Sequence, residues 1–444
     1  MSIPNPMNTN KLSSLLLSGV AGTSLVGLLA STGCSSSKNR QAEMPSAPSV
    51  QEAPAITQRN SSAIIEPEIR VAIQKDQPEI RLTAGNAGAA VLAPDGRELT
   101  RFGPGQEVVF FTQAGGVYLK NGPVNSNPGG GALLTLQALN ESSPCALNGT
   151  GVCAKIRVVA NPQTRLINAV ALIPLEEYLS GVLAGEVPFE RWNFETLKAQ
   201  AIASRSYALS QMKAKQTDIF DVESTVQSQV FKAGYRDNPK LKSIIDATRG
   251  QIVTFQGKIF PTYFCSNSGG QTAPVATIFK DQAPIPPLAG VASPFSAEGP
   301  NFQWQAHLER MTMLGKLNAA PEFSGKPLSQ INALEFLPSA GQPAGTRAEN
   351  VRISYPGGFT VLPANRFRII VGAGELKSVW IESIRDTGSG FDFSGRGFGH
   401  GVGLCQWGAS AMGNRGYSAE QILGFYYPGA ELTKLYSERV VAQR

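Results

Sequence analysis

The stretch Asn193–Met212, NFETLKAQAIASRSYALSQM, is the part of the sequence that decides the fold. Asn193 is a residue type that caps helix N-termini, and Glu195 lies in the first turn, where the helix dipole favours a carboxylate. Mostly small residues then recur at helical spacing, at Leu197, Ala201, Ser204, Ala208 and Met212. The stretch therefore predicts a helix with a buried face that lets a neighbouring element approach closely.

Short strand-like segments flank this helix on both sides and are separated by turn signals such as Pro94-Asp95-Gly96. Before the helix they are Ile69–Ile73, Ile80–Leu82, Val108–Phe111, Lys155–Ala160 and Leu166–Ile173. After it they are Gln251–Phe255, Phe260–Phe264, Val351–Tyr355, Phe367–Val371 and Val379–Ile384, with a second helical region at Trp304–Leu317. The pattern predicts an α+β fold: a mainly β N-terminal subdomain at residues 68–156, a mixed α/β core at 157–435 and a tail at 436–444.

The N-terminus predicts export. Lys11 precedes an apolar and small-residue stretch, Leu15–Ala30, which is too short and too weakly hydrophobic for a membrane span. Ser31-Thr32-Gly33-Cys34 follows and resembles a bacterial lipoprotein cleavage site, although Ser31 stands where an aliphatic residue is usual. We expect a signal peptide at residues 1–34 with lipid on Cys34, or else an ordinary signal peptide cleaved nearby. The polar residues 35–67 then read as a flexible linker that holds the protein off a membrane, in the periplasm or cell envelope.

Cysteine usage agrees with an oxidising compartment. Of the five cysteines, four remain when Cys34 is set aside. Cys145 and Cys153 flank a turn-like segment, and a disulfide between them would stabilise the fold by roughly 2–3 kcal/mol.

The charge of the chain favours a negatively charged partner. The net charge is +6 and the isoelectric point is about 9.0. The basic residues are scattered without the Lys/Arg block typical of a nucleic-acid arm, so no nucleic-acid partner is predicted.

Glu186 is the best candidate for catalytic chemistry. It stands between the apolar run Val182–Ala184 and Val187-Pro188, just before the long helix. A carboxyl in apolar surroundings has a raised pKa, which a general acid needs near neutral pH. A capping or solvated carboxylate is the alternative. Glu176 and Glu177 are expected on the surface of a short helix.

A second motif, Tyr263–Gly270, predicts a strand that ends in small hydroxyl and glycine residues. Backbone N–H groups at Ser268, Gly269 and Gly270 can bind oxyanions or sugar hydroxyls. The alternative is a tight polar turn without a ligand.

The third motif, Gly395–Ala409, carries five glycines at every second position. If it is extended, Arg396, Phe398, His400 and Val402 project from one face. It fits neither the dinucleotide nor the P-loop pattern. The chain has two histidines and lacks H-E-x-x-H, which excludes a usual His-rich catalytic zinc site. A Cys–His hydrolase with His400 and Cys265 or Cys405 stays open.

In this order, these segments resemble the stage II sporulation protein D (SpoIID/LytB) family. Leu175–Glu186 resembles the family's LEEYLxGVxxxE segment, and Leu197–Ala208 resembles its LKAQAxAARTYA helix. Tyr263–Gly270 is similar to YFHSTSGG. Gly395–Ala409, with Tyr426–Gly429, is similar to GRGWGHGVGMSQWGA and YYPG. Cys265 replaces a common His, and Cys405 replaces a common Ser.

The resemblance implies a lytic transglycosylase that cuts peptidoglycan glycan strands and uses Glu186 as its single acid and base, or a non-catalytic peptidoglycan-binding protein that stimulates a cell-wall amidase. It implies no cofactor. The substrate-binding candidates are Lys198, Gln200, Arg205, Ser268, Gly269, Gly270, Arg396, Gly399, His400, Gly401, Gln406 and Trp407. Cys265 and Cys405 are expected to lie close together, as a disulfide or as metal ligands beside His400.

Overall fold

The computed structural model describes residues 57–60, 66–121, 131–225, 228–340 and 346–436, and of residues 57–60 only the backbone. The predicted signal peptide, the lipidation site at Cys34 and most of the predicted linker lie outside the described residues. The described residues belong to a single compact unit. The described residues form both helices and sheets, so the predicted α+β class is confirmed.

Twelve strands precede the first helix: β1 (Thr57–Asn60), β2 (Glu68–Gln77), β3 (Glu79–Thr83), β4 (Ala89–Leu92), β5 (Glu98–Phe102), β6 (Glu107–Gln113), β7 (Gly116–Leu119), β8 (Leu133–Ala138), β9 (Cys145–Leu147), β10 (Thr150–Cys153), β11 (Lys155–Ala160) and β12 (Ile167–Pro174). Twelve more follow: β13 (Val222–Glu223), β14 (Gln251–Phe255), β15 (Lys258–Ile259), β16 (Phe264–Cys265), β17 (Gln303–Glu309), β18 (Ala333–Pro338), β19 (Ala348–Tyr355), β20 (Gly358–Pro363), β21 (Ile381–Asp386), β22 (Gly390–Arg396), β23 (Leu404–Cys405) and β24 (Glu431–Lys434).

The α-helices are α1 (Leu175–Glu186), α2 (Phe194–Ala214), α3 (Pro239–Ala247), α4 (Val275–Ile278), α5 (Arg310–Asn318), α6 (Ala364–Gly372), α7 (Gln406–Asn414) and α8 (Ala419–Tyr426). Short 3-10 turns lie at Pro286–Leu288, Pro294–Glu298 and Pro321–Phe323. No described helix is both long and apolar enough to cross a membrane.

The first hydrophobic core is built on two sheets. One has seven strands in the order β13-β2-β12-β11-β8-β4-β5, and the other has five in the order β10-β9-β3-β6-β7. The core extends from Ile69 to Ile245 and includes α1 and α3. The expected subdomain boundary between residues 156 and 157 falls inside β11, which pairs with β8 and β12. The chain therefore continues from the strands into the helices without leaving this core.

The second core holds the remaining sheets, of which the four-stranded one has the order β1-β24-β14-β15. Two three-stranded sheets, β17-β22-β21 and β18-β19-β20, pack with α5 and α6, and the parallel pair β16-β23 lies beside α7.

Helix α2 joins the two cores, because both of its long faces are buried. Leu197 and Ala201 belong to the first core, whereas Ala199 and Ile202 belong to the second. Asn193 caps the helix by accepting a hydrogen bond from the Thr196 N–H at 2.9 Å, so the predicted helix and its cap are confirmed. Small side chains on opposite faces let both cores approach its backbone.

Three predicted elements are wrong. Residues 304–309 form most of strand β17, in which Trp304 and Leu308 are buried in a two-residue alternation; the helix α5 begins only at Arg310. The predicted strand at 367–371 lies in helix α6, whose buried positions Ala364, Phe367 and Val371 are three and four residues apart. The predicted strand at 260–264 is irregular except at its last residue.

Candidate functional site

Glu186 is the last residue of helix α1. Val187 adopts an extended conformation at φ −134° and ψ 153°, and the helix ends there because the following Pro188 disfavours the helical region for the residue before it. The unpaired carbonyl groups of a helix C-terminus carry a partial negative charge. This position therefore favours the neutral, protonated form of the Glu186 carboxyl.

Two glycines on α1 bring a loop against the helix beside Glu186. A Cβ atom at Gly181 would lie 2.3 Å from the Phe231 ring, and one at Gly185 would lie 2.3 Å from the Val230 carbonyl oxygen. Only glycine permits such close approach. As a result the Val230 N–H donates a hydrogen bond to Glu186 Oε1 at 2.6 Å.

Burial raises the pKa of Glu186 to about 7, against an ordinary value of 4.5. The Val230 N–H and the Gln406 side chain oppose this shift by stabilising the carboxylate. Tyr178 and Tyr207 lie near the carboxyl: burial raises the pKa of both phenols, and the charge of Glu186 adds to the shift. Near neutral pH the carboxyl therefore exchanges a proton readily, as a general acid and base must.

Gln406 links Glu186 to the glycine-rich segment. It is the first residue of α7 and is 5% exposed. Its side chain faces the Glu186 carboxyl, and its buried Nε2 atom lacks a well-formed hydrogen bond. No described ion pair involves Glu186, and the contact with Gln406 places its carboxyl next to the 395–409 segment.

Trp407 is partly exposed next to Gln406. Its ring packs edge-to-face on the buried Trp192, with 5.4 Å between the ring centroids. Gly299 makes room for it, because a Cβ atom there would lie 2.4 Å from the Trp407 Cβ. The ring is thus held in place by its neighbours, as a sugar-stacking platform requires.

The glycine-rich segment is not one extended strand. Gly397, Gly399, Gly401 and Gly403 have φ values of 77°, 105°, 81° and 72°. These left-handed conformations are accessible mainly to glycine, which explains the alternation. Gly401 also makes room for the Arg347 guanidinium, whose carbon would lie 2.4 Å from a Cβ atom there.

The Ser268-Gly269-Gly270 turn does not offer the N–H groups expected of it. The Ser268 N–H donates to Cys405 Sγ at 3.2 Å, and the Gly269 N–H donates to Asn267 Oδ1 at 2.8 Å. Ser268 is fully buried. The Gly399 N–H is likewise used internally, by the Lys377 carbonyl at 2.9 Å. The N–H groups of Ser268 and Gly269 are therefore used within the protein, and the prediction that they bind a ligand is wrong for these two residues.

His400 is a half-buried, neutral histidine. Burial lowers its pKa to about 3, with the Arg368 and Arg347 charges adding to the effect. Its Nδ1 atom accepts a hydrogen bond from the Val402 N–H at 3.0 Å, and its ring packs against Tyr263 and Phe279. These contacts give it a structural role and remove it as a base for a Cys–His hydrolase.

Cys265 and Cys405 lie opposite each other on the paired strands β16 and β23, so they are neighbours as predicted. Both are free and buried. Burial raises the pKa of each thiol, which disfavours a thiolate nucleophile or ligand. Neither the expected disulfide nor a metal site forms, since the described residues contain no cluster of three His, Cys, Asp or Glu side chains suited to a metal.

Cys145 and Cys153 face each other on β9 and β10. Both are free thiols in this structure, and the expected disulfide between them is not formed. Burial raises the pKa of Cys145 to about 11.

Three predicted ligand-binding residues on α2 have other contacts. Arg205 is fully buried and pairs with Glu176, so the prediction that Arg205 binds substrate is wrong, as is the surface position expected for Glu176. Gln200 is 1% exposed and donates to Ser204 Oγ at 3.1 Å, which excludes it from direct substrate contact. Lys198 is partly exposed and pairs with Glu195 at 3.0 Å.

Sequence reasoning missed Tyr178, Tyr207, Trp192 and the Val230 N–H as neighbours of the site. A signal for the last was present in the pair Gly181 and Gly185, whose four-residue spacing on a helix marks a face for close approach. The aromatic residues carry no such signal, because an aromatic ring at helical spacing is indistinguishable from core packing.

Residues 163–255, which contain Glu186 and α2, match the family model described as SpoIID, stage II sporulation protein. The chain is 29% identical over 331 residues to the stage II sporulation protein D of Bacillus subtilis, covering 70% of this chain and 90% of that protein. It is 26% identical over 296 residues to the amidase enhancer of the same organism, covering 57% and 40% of the two chains. An uncharacterized protein of Brachyspira hyodysenteriae is 28% identical over 287 residues, covering 64% and 73%. These matches support the predicted similarity of the chain to the SpoIID/LytB family.

Proposed function

We propose that this protein acts in the cell envelope as a lytic transglycosylase on peptidoglycan glycan strands, with Glu186 as acid and then base. The observation that carries the proposal is the Glu186 carboxyl, whose pKa burial raises to about 7 without an ion-pair partner among the described residues. The match to the SpoIID family model and the names of the relatives support a role connected with the cell wall.

In the proposed reaction the protonated Glu186 gives its proton to the glycosidic oxygen as the bond from that oxygen to the anomeric carbon breaks. The Glu186 carboxylate then takes the proton of the sugar's own 6-hydroxyl as that oxygen attacks the anomeric carbon. A 1,6-anhydro end forms, Glu186 is protonated again, and no water is consumed. One carboxyl performs both proton transfers.

The surroundings of Glu186 favour this route over hydrolysis. Hydrolysis by the common routes requires a second carboxylate, which acts as a nucleophile or activates water. The groups that shift the Glu186 pKa besides burial are the Val230 N–H and the Gln406 side chain, and no carboxylate is among them. Attack by the substrate's own hydroxyl removes the need for one.

The proposal also assigns roles to residues outside the immediate surroundings of Glu186. We propose that Trp407 stacks on a sugar ring and that Arg396 contacts the strand. A lipid on Cys34 would hold the protein at a membrane surface, and the linker would let Glu186 reach the wall.

The test is mass spectrometry of purified glycan strands after incubation with the protein. Wild type is expected to release 1,6-anhydro-muramyl ends, and Glu186→Gln is expected to release none above background. Glu190→Gln is the matched control, because Glu190 is exposed in the loop four residues later. Equal product yields from wild type and Glu186→Gln would refute the assignment.

The second candidate is a non-catalytic peptidoglycan-binding protein that stimulates a cell-wall amidase, and the relative named amidase enhancer favours it. Under this alternative wild type leaves the strands intact but retains them in a pull-down. Adding it to a purified N-acetylmuramoyl-L-alanine amidase would then raise the rate of peptide release, and Glu186→Gln would do so equally.

A further inference from the structure

A group of partly exposed cations and aromatic rings lies beside the start of the glycine-rich segment. We call it the cationic strip and define it by Arg347, Lys377, Arg396, Phe302 and Trp380. The Arg396 guanidinium lies 5.7 Å from the Phe302 ring centroid and 6.0 Å from that of Trp380, over which Arg347 lies at 5.0 Å. Stacked guanidinium groups and indole rings are held flat and in place.

The strip carries more positive charge than its carboxylates neutralise. Arg396 pairs with Glu382. Arg347 and Lys377 have no carboxylate partner within the ranges that the structure describes; they bond to backbone carbonyl groups instead. The buried Arg368 behind them is also held by carbonyl groups alone. An uncompensated positive field of this kind attracts anions.

Arg347 retains an unused donor. Its second terminal nitrogen bonds to the Ser268 and Gln271 carbonyl groups, whereas NH1 is buried and has no hydrogen-bond partner. Burial lowers the pKa of Arg347 to about 10, so the side chain is still a cation at neutral pH. A buried donor without a partner is costly unless a ligand or water satisfies it.

The strip and the Glu186 site lie along one segment of chain. Gln406, which faces Glu186, and Arg396, which belongs to the strip, both lie in residues 395–409. The turn at Asn267 ties the two ends together: it bridges to Phe398, and Gly299 beside it contacts Trp407. The strip and the Glu186 site are therefore linked through one segment of chain.

We propose that the cationic strip is a binding site for carboxylate groups carried by an amino-sugar strand, and that it holds the strand while another part of it lies at Glu186. The aromatic rings stack on the faces of the sugars, and the cations form ion pairs with the carboxylate groups. The inference rests on the proposed function for its ligand. It holds equally for a strand that is cut and for one that is only bound.

The experiment measures binding with Glu186→Gln protein, so that cleavage cannot consume the ligand. The probes are peptide-free glycan strands with free muramyl carboxyl groups, peptide-bearing strands, and a neutral N-acetylglucosamine oligomer. The strip variant is Lys377→Gln/Arg396→Gln. The control is Lys242→Gln/Arg97→Gln, which removes the same charge from two exposed ion pairs elsewhere.

The strip variant is expected to bind at least one carboxylate-bearing probe about tenfold more weakly at low salt, with the difference shrinking at high salt. Its affinity for the neutral oligomer is expected to change less than about twofold, and the control is expected to match the parent on every probe. Which acidic probe responds identifies the source of the carboxylate. The single variant Lys377→Gln, at a partly exposed position, gives the same comparison if the double variant folds poorly.

Unchanged binding of both acidic probes, or an equal loss on the neutral oligomer, would overturn the proposal. The experiment distinguishes failure of the strip proposal from failure of the proposed function. If wild type forms no anhydro ends while the strip variant still binds a carboxylate-bearing strand more weakly, the enzymatic proposal is refuted and the binding proposal for the strip is supported. If anhydro ends form and the strip variant binds the acidic strands with unchanged affinity, the binding proposal for the strip is refuted and the enzymatic proposal is supported.

Discussion

The two ends of helix α1 each hold a carboxyl, of which Glu176 is buried and Glu186 half-buried, and the two are opposite in character. Glu176, at the N-terminal end, is 4% exposed and bonds to Arg205 at 2.6 Å, to the Tyr436 hydroxyl at 2.7 Å and to the Gly250 N–H at 3.2 Å. Burial raises its pKa, but the Arg205 charge and these hydrogen bonds outweigh it, and the net pKa is lowered. Glu186 has no cation and a raised pKa.

Burial therefore serves two purposes within the twelve residues of α1. At the N-terminal end the helix dipole and Arg205 favour the ionised form, so Glu176 ties α1 to α2 and to the C-terminal strand region. At the C-terminal end the dipole opposes ionisation and no cation compensates. The first carboxylate therefore stabilises the fold, whereas the second carboxyl is kept able to give and accept a proton.

The largest expected effect is on activity at the C-terminal end of α1. Glu186→Gln keeps the shape and removes the proton donor, so product formation should fall by about 10²–10⁴-fold. The free energy of unfolding should not fall at pH 7, since no ion pair is broken. Product yield by mass spectrometry and chemical denaturation of the same samples provide the measurement, with Glu190→Gln as control.

The next effect is on stability at the N-terminal end. Glu176→Gln leaves the Arg205 charge buried without its partner and should lower the free energy of unfolding by about 3–5 kcal/mol. Activity per folded molecule should be kept. Urea denaturation measures the change. The double variant Glu176→Gln/Arg205→Met, which removes the orphaned charge, should recover much of the loss; a double variant less stable than the single one would contradict this account.

The third effect is a pH dependence that only the Glu186 end produces. Between pH 4.5 and 7 the folded state keeps a proton on Glu186 that the unfolded chain has lost. Its contribution to stability is therefore fully present below pH 4.5 and declines as the pH rises to 7, by up to about 3 kcal/mol. Wild type minus Glu186→Gln, measured by denaturation at several pH values, should show this decline. A flat difference would show that the carboxyl is not held protonated.

The smallest effect concerns the neighbour of Glu186 on α7. Gln406 stabilises the Glu186 carboxylate through a weak polar contact, so Gln406→Leu should raise the Glu186 pKa by less than about one unit. The alkaline limb of the pH–activity profile should move to higher pH. A lower rate with an unmoved limb would mean that Gln406 acts only in packing.

Local sequence was sufficient where local forces dominate. The cap and extent of α2 follow from Asn193 and the small-residue spacing, and β11 and β14 have the predicted bounds. It failed at 304–309 and 367–371, because short apolar runs fit a strand or a helix equally and the surrounding packing decides between them.

For the site, the sequence predicts that Glu186 lies among apolar residues just before the long helix and that the five alternating glycines of 395–403 mark an unusual segment. Only the tertiary structure decided which charged residues face one another. It paired Arg205 with Glu176, buried Cys265 and Cys405, and set Gln406 beside Glu186. The physical reason is that a pKa depends on burial and on the nearest charges, and both come from parts of the chain far apart in sequence.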